Sequence, residues 1–244
     1  MQWTYGQYLK EVRTVAKAFI HLGLKSRNSV GIIGFNSPEW YISDIAAVFA
    51  NGIATGIYPT NSKEACKYIV QDCVANIVVV EDEKQLEKFL AIKEECPELT
   101  AIVQYTGQPT QAGVISWPEL LKIGEAESEV DLNKRLEEMY LNQCCHLVYT
   151  SGTTGPPKGV MLSHDNLTFT AKVLCDTFQM KDNEERIVSY LPLSHVAANL
   201  TDVFVMITCS GTVYFADNNA LKGTLTTTLK EALPTLFLLS LIHI

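Results

Sequence analysis

A chain of 244 residues, 47% hydrophobic and 19% charged, has enough apolar material for one large core or two small ones, which excludes a disordered chain. Its formal net charge of -8 argues against nucleic acid as a partner, because such a surface needs basic side chains to replace the counterions of phosphate. Seven cysteines, at 66, 73, 96, 144, 145, 175 and 209, include no CxxC pair and several sit inside apolar runs, the pattern of reduced core thiols in a cytoplasmic protein rather than of a disulfide or zinc framework.

In chain order, Met1-Gln-Trp-Thr-Tyr5 lacks the basic start and apolar run of a signal peptide. Residues 5 to 22 predict an amphipathic helix, with Tyr8, Val12, Val15, Phe19 and Leu22 on one face and Gly23 ending it. Val30 to Gly34 is a short buried strand. Ser37, Pro38 and Glu39 then carry the signals of a helix start, and that helix bears Trp40, Ile45, Val48 and Phe49. The alternation continues with a strand at Ile53–Ile57, a helix over 62–74, a β-branched strand at Ile77–Val80, a helix from Glu83 to about Glu95 and a strand at Ala101–Val103. Such alternation is the mark of an α/β fold, with largely parallel sheets flanked by helices.

Between Thr106 and Glu129 the pattern weakens. Gly107, Pro109, Gly113, Pro118 and Gly124 punctuate it, and the acids of 125–138 read as a solvated connection and exposed helix rather than a docking surface. Beyond residue 163, Ser163 is a candidate N-cap for a helix burying Leu167, Ala171, Leu174 and Phe178. A strand at Ile187–Leu191, a helix from about His195 to Cys209, a strand at Gly211–Phe215 and a helix over 220–232 follow. The apolar run Leu233–Ile244 is too short to span a bilayer, so no transmembrane helix is expected, while peripheral contact with a membrane stays open.

The chemistry concentrates in Tyr149-Thr-Ser-Gly-Thr-Thr-Gly-Pro-Pro-Lys158-Gly-Val-Met-Leu-Ser-His-Asp-Asn166. Four hydroxyls (Thr150, Ser151, Thr153, Thr154), the glycines Gly152, Gly155 and Gly159, and Lys158 lie between apolar runs. Glycines let main-chain N–H groups approach an anion, hydroxyls add donors and the lysine adds charge, so the stretch suits a polyphosphate. It is not a Walker loop. Pro157 precedes the lysine, Gly159 follows it, and Val160-Met-Leu162 reads as a strand where a Walker loop would open a helix. The plainer alternatives are a Gly/Thr-rich surface loop and an ordinary surface lysine.

Thr150-Ser-Gly-Thr-Thr-Gly-x-Pro-Lys158-Gly resembles the signature loop of the adenylate-forming (AMP-binding) superfamily. Gly31-Ile-Ile-Gly-Phe-Asn-Ser-Pro-Glu-Trp40, Asn142-Gln-Cys-Cys145, Met161-Leu-Ser-His-Asp-Asn166 and Ser189-Tyr-Leu-Pro-Leu-Ser-His195 resemble its long-chain acyl-CoA synthetases, closest to the bubblegum subgroup. The likeness runs from about Trp3 to about Pro234. It implies a partial AMP-binding domain over 1–234, the incomplete N-terminal domain of an adenylate-forming enzyme, with an apolar tail over 235–244 that departs from the family.

That resemblance implies a ligase of fatty acid metabolism. A long-chain fatty-acid carboxylate attacks the α-phosphorus of MgATP, pyrophosphate leaves, and the thiol of CoA then takes the acyl group from AMP. It assigns Thr150, Ser151, Gly152, Thr153, Thr154, Gly155 and Lys158 to the ATP phosphates, and His195 to the acyl and α-phosphate end of the site. The bland role for His195 is to close the next helix's N-terminus. Ala197-Ala-Asn199 stands where some relatives carry an aromatic gate. The family's magnesium-binding acidic motif, ribose-binding aspartate and C-terminal lysine would lie beyond Ile244. A non-catalytic chain that binds ATP or an acyl chain weakly, or not at all, is therefore the alternative reading. Cys144 and Cys145 have no sequence neighbour expected to lower their pKa and read as buried structural thiols, Met180 and Met206 as core, His164 as a helix-start residue and His21 as a surface one.

Overall fold

The computed structural model describes residues 2–150 and 156–239. These fall into two units, residues 2–34 with 39–164 and residues 35–38 with 165–239.

The first unit opens with α1 (Tyr5–His21), started by a reciprocal box in which Thr4 Oγ1 accepts from Gln7 N and Thr4 N donates to Gln7 Oε1. β1 (Ser29–Ile33), α2 (Pro38–Phe49), β2 (Ile53–Ile57), α3 (Lys63–Asp72), β3 (Ala75–Val80), α4 (Glu83–Leu90) and β4 (Ala101–Gln104) then alternate. Local capping chemistry explains the helix starts: Ser62 accepts from Ala65 N and Asp82 from Gln85 N. β5 (Val114–Ser116), α5 (Trp117–Ala126), α6 (Val130–Glu137), β6 (Cys144–Thr150) and β7 (Lys158–Ser163) complete the unit.

Among the described residues its seven strands form one sheet in the order β5-β4-β3-β1-β2-β6-β7, and only the β6–β7 pair is antiparallel. β1, β3 and β4 are buried along their whole length, which is why they read as unbroken apolar or β-branched runs. One core joins Ile57, Ile69, Val78, Leu86, Phe89 and Ile102. Each such fully buried side chain is worth roughly 1.5–3 kcal/mol of transfer free energy.

The structure corrects two expectations here. The segment 106–129 is not only a solvated connection. Its residues 114–116 add a parallel edge strand to β4, and α5 follows at once, capped by Ser116 with Pro118 in its first turn. A strand of three half-buried residues shows no periodicity, so only its pairing reveals it. The helix expected to run from Glu83 to about Glu95 ends at Leu90. Ala91 is its C-cap, Ile92 is buried (3% exposed), and a 3-10 turn covers Lys93–Glu95.

The second unit contains α7 (His164–Thr177), β8 (Arg186–Ser189), β9 (Thr212–Phe215) and α10 (Leu225–Ala232), with β8 and β9 paired in parallel. Between the strands one helical run passes from α8 (Val196–Ala198) through a π-helical stretch, Asn199–Val205, into α9 (Met206–Thr208). Its core gathers Ala171, Cys175, Ile187, Val205 and Met206, with Met180 packed against it. Phe178 was expected in that core, yet it is 63% exposed. α7 stops at Thr177, so Phe178 lies past the helical stripe and Cys175 fills the buried position. The start of the tail is tied to β8 and the residue after it: Thr235 N and Leu236 N donate to Arg186 O, and Tyr190 Oη donates to Leu238 O at 2.8 Å. Among the described residues no helix is long and apolar enough to cross a membrane.

Candidate functional site

β6 carries the chain up to the hydroxyl-rich loop and β7 carries it away. The two strands pair antiparallel with Tyr149 opposite Gly159 and Thr150 opposite Lys158. The two expected flanking strands are present, and Gly159 lies in a strand rather than a helix. Thr150, Pro156 and Lys158 are exposed. Ser151, Gly152, Thr153, Thr154 and Gly155 lie outside the described residues. The ladder therefore brings together Thr150 and Lys158, the first and last of the predicted phosphate ligands. Lys158 makes no ion pair among the described residues.

Two anchors hold β6 beneath the loop. Tyr149, 5% exposed, donates from its hydroxyl to Asp72 Oδ2 at 2.6 Å, at the last residue of α3. Burial, and next the hydrogen bond to this carboxylate, push the Tyr149 phenol well above its ordinary range. Lower on the strand, His146 Nε2 lies 3.1 Å from Asp44 Oδ1 on α2, both side chains being buried. Burial alone would lower the imidazole's pKa; the Asp44 carboxylate outweighs it and raises His146 to about 10.

The cysteine pair divides. Cys145 is buried, whereas Cys144 is only half-buried, and the reading that no neighbour lowers their pKa fails for Cys145. His146 Nδ1 lies 3.4 Å from its sulfur. Burial would raise the Cys145 thiol, but the hydrogen bonds from His146 and His164 hold it below its ordinary value. Burial raises Cys144. The missed signal was the adjacent His146, which strand alternation alone would aim at the opposite face.

His195 belongs to the second unit. It is exposed and forms the N-cap of α8, where Nδ1 accepts from Ala197 N–H at 3.1 Å. The helix-closing role is therefore present, and it fixes the tautomer: with Nδ1 accepting, the proton of the neutral ring sits on Nε2, which is left as a donor. The Tyr190–His195 segment is supported from below. Asn36 Nδ2 donates to Ser189 Oγ and to Leu191 O, each at 2.8 Å. Asp202 in the π-helical stretch is buried, which pushes its carboxyl up to about 6 against hydrogen bonds to Ser189 and Thr201. π-helical turns of this kind recur at functional sites. Among the described residues no three His, Cys, Asp or Glu side chains are placed to hold a metal ion.

A model of the family described as "AMP-binding enzyme" matches residues 1–240. The long-chain-fatty-acid–CoA ligase ACSBG2 of Xenopus laevis is 47% identical over 245 residues, which is 97% of this chain and 33% of that protein. ACSBG1 of Rattus norvegicus is 50% identical over 237 residues, 95% of this chain and 33% of that protein. The chain thus spans about a third of the length of the curated relatives it matches. Among solved structures, the anthranilate CoA ligase AuaEII in complex with anthranoyl-AMP superposes with a TM-score of 0.84 at 24% identity, over 96% of this chain and 44% of that one; at that identity the likeness speaks for the fold.

Proposed function

Because this chain belongs to the AMP-binding enzyme family, we propose that it supplies the phosphate-binding part of a long-chain fatty acid–CoA ligase. In that reaction a fatty-acid carboxylate oxygen bonds to the α-phosphorus of ATP as the bond to pyrophosphate breaks. The thiol sulfur of CoA then bonds to the acyl carbon, and AMP leaves. Both steps build negative charge on oxygen, and fixed donors and cations at those oxygens lower the barrier. The observation that carries the reading is the β6–β7 ladder, which sets exposed Thr150 opposite exposed Lys158 at the two ends of the hydroxyl- and glycine-rich loop. In this reading Thr150, Ser151, Gly152, Thr153, Thr154, Gly155 and Lys158 hold the β and γ phosphates. His195, proton on Nε2, donates toward the substrate carboxylate. Magnesium, when bound with ATP, neutralises phosphate charge, and the protein's own share is to cradle and orient the chain of phosphates. A cytoplasmic location with peripheral membrane contact fits an enzyme that takes long acyl chains.

The test is calorimetric titration of the chain with MgATP. Lys158→Ala is expected to weaken binding by about ten-fold, or about 1.4 kcal/mol, with the melting temperature unchanged, since an exposed lysine contributes little to folding. Equal affinity in the two proteins, or a melting temperature that falls as far as affinity does, would point to a structural lysine.

The alternative is a chain that binds ATP or an acyl chain weakly, or not at all, and does not catalyse ligation. Pyrophosphate release from ATP and fatty acid separates the two.

A further inference from the structure

Gly159 sits on β7, which among the described residues is the last strand of the sheet and paired on one side only. A glycine there is poorly placed, since it loses much backbone freedom and offers no side chain to pack. The structure compensates from across the ladder. A Cβ built at Gly159 would lie 3.1 Å from Tyr149 Cζ, 3.3 Å from its hydroxyl oxygen and 3.4 Å from Leu147 Cδ2. The Tyr149 ring therefore lies over the glycine and occupies the place of the missing side chain, a cross-strand pairing that stabilises edge glycines. The ring is itself held at its far end, where the hydroxyl donates to Asp72 Oδ2 at 2.6 Å. Asp72 closes α3, an element far removed in sequence. α3, β6 and β7 are thus joined through one side chain, one residue before Thr150 and one after Lys158.

We propose that Tyr149 and Asp72 are positioning residues that fix the register of β6 against β7, and so the separation of Thr150 from Lys158. This deepens the phosphate-loop reading above and rests on it. Neither residue touches the ligand. Their effect is to hold the two ends of the loop in one geometry before a polyphosphate arrives, which spares the ligand the cost of ordering them.

Hydrogen–deuterium exchange on the 244-residue chain, read peptide by peptide, tests the clamp, and MgATP titration of the same proteins tests its consequence. Tyr149→Phe keeps the ring and removes the hydroxyl, and Asp72→Ala removes the acceptor. Each is expected to speed exchange by about ten-fold over 144–150 and 158–163, the factor set by one hydrogen bond to a charged acceptor, while 29–33 and 75–80 keep wild-type protection. Asp72→Asn retains a carbonyl acceptor and should restore much of the protection, a rescue that simple loss of surface charge would not produce. MgATP affinity should follow the same order. Unchanged exchange in Tyr149→Phe overturns the clamp, as does a rise spread evenly over the whole sheet. A wild-type chain that binds no MgATP overturns the phosphate reading, while the exchange pattern still decides the clamp. Exchange that rises locally with MgATP affinity unchanged leaves a structural clamp and overturns its role at the loop.

Discussion

At the scale of single residues, the buried pair Asp44–His146 makes a pH-dependent contribution whose sign is set by the folded state. The imidazole is raised from an ordinary value near 6.5 to about 10. The folded protein therefore binds a proton that the unfolded chain releases at lower pH. The contribution is fully present below about pH 6.5 and is lost as pH rises through about 10. Denaturant melts across that range are expected to show stability falling by at most about 1.4 kcal/mol per pH unit, and His146→Gln should flatten the slope. The variant will be less stable at neutral pH, because it replaces a buried charged ring with a neutral amide, so the slopes rather than the midpoints are compared. A slope equal in both proteins would assign the pH dependence to other groups. Gly159→Ala belongs to the same scale. Its methyl would press on a ring that Asp72 keeps from moving aside, and a loss of about 1 kcal/mol is expected. Combining it with Tyr149→Ala should reduce that loss.

At the scale of elements, α1 and α5 approach closely at Gly124. A Cβ at Gly124 would fall 1.9 Å from the carbonyl oxygen of Thr14. That oxygen is backbone, so a side chain there can be admitted only by separating the two helices. Gly124→Ala is expected to cost about 3 kcal/mol, read as a shift in urea midpoint at constant m value. Recovery of wild-type stability would mean that the helices slide apart freely. The packing also explains why α5 exists at all. Its capping residue Ser116, Pro118 and Glu119 are ordinary helix-start signals, but they occur amid glycines and prolines that read as a connection. α7 gives the complementary case. Its stripe was extended one turn too far, because Phe178 keeps the spacing of a buried residue after the backbone has left the helix.

At the scale of the molecule, the last described residues act on the second unit. Phe237 stacks on Tyr190 with ring centroids 5.4 Å apart, and Leu236 joins the core of α7 and α9. Leu236 and Phe237 are therefore seated rather than exposed as an uncharged apolar run, the kind of segment that aggregates when uncovered. Phe237→Ala should cost about 2 kcal/mol, less than full burial would give because the ring is only partly covered, and light scattering should rise as Tyr190 is uncovered. A variant as stable and monodisperse as wild type would show that the tail is dispensable. Assayed alone with fatty acid, ATP and CoA, the chain is expected to release no pyrophosphate. Among its described residues no three His, Cys, Asp or Glu side chains are placed to hold a metal ion, and in-line transfer needs every positioning group at once. Turnover by the purified chain would overturn this.

The amino-acid order by itself determined the α/β class, the alternation up to β4 and the candidate loop. Each of these rests on patterns within a few residues: β-branched runs, capping residues, and hydroxyls and glycines at fixed spacing before a lysine. Thr150 and Lys158 were legible for that reason. Tertiary structure alone decided what lies beneath them. Asp44 and His146 are 102 positions apart and Asp72 and Tyr149 are 77 apart, and no local periodicity encodes which helix packs on which strand. β5 was hidden on the same ground, since three half-buried residues become a strand only when β4 offers its edge. Local sequence specifies which backbone geometry is favourable, whereas the sheet order, set by burying many apolar faces together, selects which distant side chains meet.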